Sequence, residues 1–373
     1  MEGHDMDNDI VHWWKTDLGD EEIRGVEESI RSRHINQGPV CKKLEDELAQ
    51  ILNVPYVVLT TNGSTALAMS LMACGVGPGD EVIVPAITYI ATAHSVLLLG
   101  AKVRLVDVQP DRPLIDVNQI EAAITDKTKV ILPVHLNGAA CDIDAIKTLA
   151  KKYELKVIED TAQAFCSRNS AGYLGTQSDF GIFSMSIAKL ITTGEGGFAA
   201  TRDEASYTKL LKLRNQGVLS VPDNVFDGFG FNLRFNDMLA GVGLAQARRL
   251  PEKLAAVKRT YNFYKEQLEE LDYLKVLKIR VDEGEVPLWT QALCSEREKV
   301  IELLDERGIE ARPFNPCLSD SKHLESPDNF PAARMFAEKG LTLPSGPDQG
   351  EDNLARTVGA LRQIAGEIKT AIK

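Results

Sequence analysis

The chain of 373 residues is 44% hydrophobic and 26% charged, with 42 Lys+Arg against 54 Asp+Glu for a net charge of −12. That length fits one large domain plus a smaller one, and the acidic balance argues against nucleic acid or an anionic membrane surface as main partner. The opening MEGHDMDNDIVHWWK is acidic before it is apolar, unlike a secretory signal, and no apolar run approaches the ~20 residues of a spanning helix, so a cytoplasmic globular protein is expected. The six cysteines are widely spaced without a CxxC and the six histidines are dispersed; unbridged thiols and no metal site follow. His94 and His135 stand among apolar neighbours and read as core histidines.

From about residue 55, short β-branched runs alternate with stretches of helical period, the pattern of βα units around a parallel sheet and hence an α/β fold. Tyr56–Thr60 predicts a strand that turns through Asn62-Gly63-Ser64 into a helix ending near Ala73. Strands follow at Glu81–Pro85, Lys102–Asp107, Lys129–Val134 and Lys156–Glu159, with helices at Thr92–Leu99 and Ile143–Lys152. Phe180–Ser186 and Gly197–Thr201 predict strands joined by a Gly-rich turn, and Glu204–Arg214 a helix. Beyond it, Leu254–Leu271 has helical period and leads into a smaller α+β region with strands near Val276–Val281 and Trp289–Leu293 and helices at Arg297–Arg307 and Asn353–Ile368. Five prolines between 313 and 346 predict a loop-rich stretch there. The domain reading is an N-terminal segment 1–19, a large domain 20–253 and a small domain 254–373.

Three segments carry chemistry. Gly63 and Ser64 lie where a strand opens into a helix, presenting N–H groups that suit a phosphate, although such a turn also serves as a simple cap. VIEDTAQA is an apolar strand ending in two carboxylates; Asp160 there needs a partner such as a cationic ring nitrogen, or else caps a helix. Lys189, amid apolar and small residues before TTGEGG, is either a surface lysine on a glycine turn or a desolvated amine able to attack a carbonyl. Phosphate cradle, strand-end aspartate and lysine together are the parts of a pyridoxal 5'-phosphate (PLP) site.

GVGPGDEVIVPAITYIATAHSV, VILPVHLNGAACDIDAI, VIEDTAQA, FSMSIAKLITTGEGG, LRNQGV and GFGFNLRFND occur in the order seen in the DegT/DnrJ/StrS sugar aminotransferases, which the chain resembles from about residue 18 to its C-terminus. The resemblance implies a fold-type I PLP-dependent transferase, with a mostly parallel seven-stranded sheet in the large domain and a smaller α+β C-terminal domain. It implies that Lys189 forms the Schiff base and moves the substrate proton, that Asp160 pairs the ring nitrogen, and that Gln163 lies against the ring or its phenolic oxygen. Gly63, Ser64 and Ser184 would hold the phosphate, Tyr89 would stack on the ring, and Asn232 would reach the phosphate of the other subunit of a homodimer with shared sites. Glu195 either reaches the site or caps its turn, and Trp13 and Trp14 read as packing.

The implied reaction moves the amino group of an amino acid, glutamate first among donors, onto a keto-sugar for surface polysaccharide or lipopolysaccharide. The acceptor would be a nucleotide-linked 4-keto-6-deoxyhexose or 3-keto sugar, or a keto-sugar acid. Alternatives are a sugar dehydratase of the same lineage, whose members carry histidine where this chain has Lys189, and a regulatory protein without turnover. A diphosphate on the acceptor would need a local positive patch from helix N-termini and residues such as Arg234 or Arg312. Where many members carry histidines facing the sugar, this chain reads Arg312-Pro313-Phe314-Asn315-Pro316-Cys317.

Overall fold

The computed structural model describes residues 10–219, 226, 228–324, 326 and 329–371, so the expected N-terminal segment is described only from residue 10. Helices α1 (Asp20–Arg31) and α2 (Pro39–Leu52) precede a sheet of seven strands. These are β1 (Tyr56–Thr60), β2 (Glu81–Pro85), β3 (Lys102–Val106), β4 (Thr128–Ile131), β5 (Lys156–Asp160), β6 (Phe180–Ser184) and β7 (Gly197–Thr201), in the order β1-β7-β6-β5-β4-β2-β3. From β6 to β3 all neighbours are parallel, and only β7 runs against its neighbours, β1 and β6. Helices α3 (Gly63–Ala73), α4 (Ala91–Leu98), α5 (Val117–Ala123), α6 (Ile143–Lys152) and α7 (Glu204–Arg214) connect or follow these strands. Val82, Ile83 and Val84 are all fully buried, as expected of a parallel strand covered on both faces.

Close packing of the leading helices on the sheet depends on small residues and one carboxylate. Helix α1 crosses α8 (Asp237–Arg248) at two glycines, where a Cβ on Gly25 would stand 2.8 Å from the Gly241 carbonyl carbon. The N-cap of α2 is Gly38, which has no side chain to satisfy the first turn. Asp237 supplies that function from α8: its Oδ1 accepts the N–H groups of Gly38 and Cys41, both at 2.9 Å, and its Oδ2 accepts that of Val40 at 3.2 Å. Neither α1, α2 nor α8 is anticipated by the sequence reading; α1 and α8 start at local caps, Glu22 accepting the Gly19 N–H and Asn236 the Leu239 N–H, whereas the first turn of α2 relies on the remote Asp237.

Helix α9 (Leu250–Gln267) begins earlier than expected, with Pro251 in its first turn, where a missing N–H costs nothing. The expected boundary at 253/254 falls inside it. Along its length Val257 and Tyr261 pack with the large sheet, and Tyr264 packs with a second sheet. That sheet holds β8 (Leu274–Val276), β9 (Thr290–Cys294), β10 (Arg312–Pro313) and β11 (Gly340–Leu343), antiparallel in the order β8-β9-β11-β10, and is accompanied by α10 (Arg297–Asp305), α11 (Pro331–Lys339) and α12 (Glu351–Ala371). The expected loop-rich stretch 313–346 therefore contains a helix and a strand. Pro331 opens α11 instead of breaking it. Among the described residues no helix is long and apolar enough to cross a membrane.

Replacing Asp237 with alanine leaves three N–H groups without their carboxylate. Urea unfolding should show a loss of about 2–3 kcal/mol, with Asp237→Asn losing less because its amide oxygen still accepts.

Candidate active site

Strands β1, β5 and β6 end at one edge of the large sheet, where the small sheet stands over them and encloses a cavity of about 730 Å³. At the end of β1, Asn62 caps α3 by accepting the Thr65 N–H at 2.9 Å. Ser64 is thereby not needed as a cap, and the N–H groups of Gly63 and Ser64 remain as orphan donors of the first turn. Two glycines make this turn possible. A Cβ on Gly197, at the start of β7, would lie 2.5 Å from the Gly63 nitrogen, and one on Gly63 would lie 3.1 Å from Ser184 Cβ.

β5 carries two buried carboxylates that point to opposite faces, as consecutive strand residues must. Glu159 is fully buried and accepts from His135 Nε2 at 3.0 Å, Gly175 N–H at 2.8 Å, and Gln177 N–H and Ser178 Oγ at 2.9 Å each. Asp160 faces the cavity. Its Oδ2 accepts from Thr92 Oγ1 at 2.8 Å and its Oδ1 from the Ala162 N–H at 3.1 Å. No helix begins there, so Asp160 is not a helix cap, and no cation lies within ion-pair distance of it among the described residues. Burial pushes its carboxyl above the usual range, opposed by the Ala162 N–H, the Thr92 hydroxyl and the charge of Lys189.

Lys189 lies in the turn after β6, part of its side chain open to the cavity. Its ammonium makes no ion pair among the described residues and rests 5.1 Å from the centroid of the Trp289 ring. Desolvation lowers its pKa to about 8, against the upward pull of Asp160. The fraction of neutral amine, the state a nucleophile or base requires, is therefore far larger near physiological pH than for an ordinary lysine. Gln163 is buried at the cavity wall, where its Oε1 accepts the Asn137 N–H at 3.0 Å.

Gly63, Ser64, Tyr89, Asp160, Gln163, Ser184 and Lys189 thus line one cavity, with Tyr89 at its exposed rim and Glu195 also reaching it. Asn232 does not join them in its own chain. It is exposed in a separate hollow beside Asn36 and Asn215, and its Oδ1 accepts from Arg234 Nε at 2.8 Å. Trp13 packs as expected, its ring centroid 6.2 Å from that of Trp289, and also lines the cavity; Trp14 packs and donates its Nε1–H to the Ile187 carbonyl at 3.0 Å. His135 is buried as expected; His94 is exposed and meets His323, Nε2 to Nε2 at 2.8 Å. Thr92, Trp289 and Gln291 were missed, since each reads as an ordinary helix or strand residue. Among the described residues no group of three or more side chains is placed to hold a metal ion.

The profile of the DegT/DnrJ/EryC1/StrS aminotransferase family matches residues 16–362. The chain belongs to that family. A GDP-perosamine synthase of Caulobacter vibrioides is 38% identical over 88% of this chain and 90% of its own. Among solved structures, DesV of S. venezuelae in complex with a ketimine intermediate superposes with a TM-score of 0.89 at 30% identity, covering 92% of this chain and 94% of its own. A Streptococcus pneumoniae structure described as a sugar aminotransferase in its PLP form gives 0.88 at 27% identity over 95% and 98%. The protein is a PLP-dependent sugar aminotransferase of the fold anticipated from its motifs.

In the cofactor-free aminotransferase, Lys189 should acylate with a pH profile half complete at about 8, where surface lysines need about 10.4. Peptide mapping of a pH series checks this, and a Lys189 profile coincident with the surface lysines would contradict the cavity's desolvation.

Proposed function

We propose that this cavity carries out transamination between L-glutamate and a nucleotide-linked keto-sugar. The observation that carries the reading is the meeting, in one cavity, of a cation-free buried Asp160, a desolvated Lys189 and the orphan N–H groups of Gly63 and Ser64. These residues fit PLP: α3 offers its N-terminus and β6 its terminal Ser184 to a phosphate, and Asp160 offers a carboxylate to a ring nitrogen. At ~4 Å and an effective dielectric of about 20, that ion pair would be worth roughly 4 kcal/mol before desolvation. Bound there, PLP supplies an aldehyde for amines and a protonated ring that draws electrons from the neighbouring carbon.

Around that chemistry the chain's own residues have separate tasks. With the group bound, Lys189 Nζ would be placed to hold its aldehyde and, when free and neutral, to carry the proton to and from the substrate carbon. Thr92 and the Ala162 N–H orient Asp160, and Gln163 and Tyr89 would border the ring. Trp13 and Trp289 shield the reacting atoms from water. The GDP in the relative's name favours guanosine diphosphate as the sugar's carrier, and Arg312, whose guanidinium lies 5.0 Å from the Trp13 ring centroid, stands at the cavity as a cation for it. The active form is a homodimer in which Asn232 of one chain completes the partner's site, which accounts for its distance from its own chain's cavity. A cytoplasmic role in supplying amino sugar for surface polysaccharide fits this chemistry.

Lys189→Ala should lose both the absorption near ~420 nm expected of bound PLP and all transfer of nitrogen from glutamate; a variant keeping colour and turnover would sink the assignment. Asn232→Ala and Lys189→Ala chains refolded together should regain about a quarter of wild-type activity, since half the dimers are mixed and each has one intact site. No recovery on mixing would place Asn232 outside the shared site.

A further inference from the structure

Resting on the transamination reading, a second specificity is written into the small sheet. Trp289 and Gln291 are two apart on an extended chain and so share a face, while Ala292 and Cys294 pack into the core beneath. Trp289 lies against the Lys189 ammonium, and Gln291 is about 7 Å further along the strand. In register beside Gln291 is Thr342, and beside that Arg312, making a polar row across three strands that lines the cavity. Gln291 is only 5% exposed, yet its Oε1 is buried without a hydrogen-bond partner among the described residues. Its other end makes a single long bond, Nε2 to Thr342 Oγ1 at 3.4 Å. A buried amide left half unused is a group awaiting a ligand.

The two substrates of an aminotransferase occupy the same place in turn. The wall nearest the lysine meets a carboxylate in one half-reaction and sugar hydroxyls in the other. A cation there would favour only the first. An amide has two donors and an acceptor on one rotatable bond, and the Thr342 hydroxyl can either accept from its nitrogen or donate to its oxygen. We propose that Gln291 is the residue that reads both substrates, turning its N–H to the donor's carboxylate and its carbonyl to a hydroxyl of the sugar.

Two probes on the PLP-loaded enzyme separate these contacts: L-glutamate, and GDP-perosamine for the reverse of the sugar half-reaction, each followed by loss of the band near ~420 nm. Gln291→Glu keeps shape and acceptor but adds negative charge. It should weaken the apparent affinity for L-glutamate about tenfold or more while changing that for GDP-perosamine less than about threefold. Gln291→Leu should weaken both, with the band itself retained as proof of an intact site. Calorimetric binding of glutarate, which does not react, should fall with Gln291→Glu in step with L-glutamate. Equal effects of Gln291→Glu on both probes, or unaltered affinities in both variants, would overturn the inference. A wild type that keeps its band with L-glutamate overturns the transamination reading itself.

Discussion

Burying two consecutive carboxylates costs several kcal/mol for each ion unless the protein replaces the lost water, and β5, the middle strand of the large sheet, ends on such a pair. The two are compensated in opposite ways. Glu159 is saturated by a histidine, two backbone N–H groups and a serine hydroxyl, and those donors outweigh burial to keep its carboxyl below the usual range. The loop 175–178 is drawn over the sheet to supply them, at a point where Gly181 leaves room for the Gly175 carbonyl. Among the described residues Asp160 receives only two neutral donors. What remains uncompensated on that side is a demand for positive charge, directed into the cavity.

The same strand end is held rigidly enough to make that demand specific. Asp160 bonds through its N–H to the Pro133 carbonyl and through its carbonyl to the His135 N–H, both at 2.9 Å, which fixes its backbone to the chain leaving β4. His135 Nδ1 accepts the Cys141 N–H, so the proton shared with Glu159 is carried by Nε2. Structural saturation on one face of β5 thus supports chemical availability on the other, and a site built on strand ends gains a precision that flexible loops would not give.

Much of the large sheet was legible because parallel strands covered on both faces write themselves as continuous β-branched runs, as Glu81–Pro85 does. Lys189 and Asp160 were legible for a related reason: charge in apolar surroundings needs an explanation. What stayed hidden was whatever depends on partners remote in sequence. The start of α2 is set by Asp237, some two hundred residues away, and α11 by a proline that also reads as a breaker. Asn62 and Ser64 are equally good caps on paper, and only the Thr65 N–H, bound to Asn62, decides between them. Gln291 looks like one more strand residue until its unused oxygen is seen beside the cavity.

The segment before α1 has a consequence for how the protein is made. Val11 bridges Ile309, the Trp13 N–H donates to the Glu310 carboxylate, and Trp14 bridges Ser345 while its indole holds the Ile187 carbonyl. These partners lie as much as 331 residues later in the chain, the separation of Trp14 and Ser345. During synthesis, which proceeds from the N-terminus, the partners of this segment at Ile309, Glu310 and Ser345 emerge only after most of the polypeptide has left the ribosome. The wall that Trp13 contributes is therefore among the last features to form. A nascent chain that has already folded its large sheet still lacks a finished cavity.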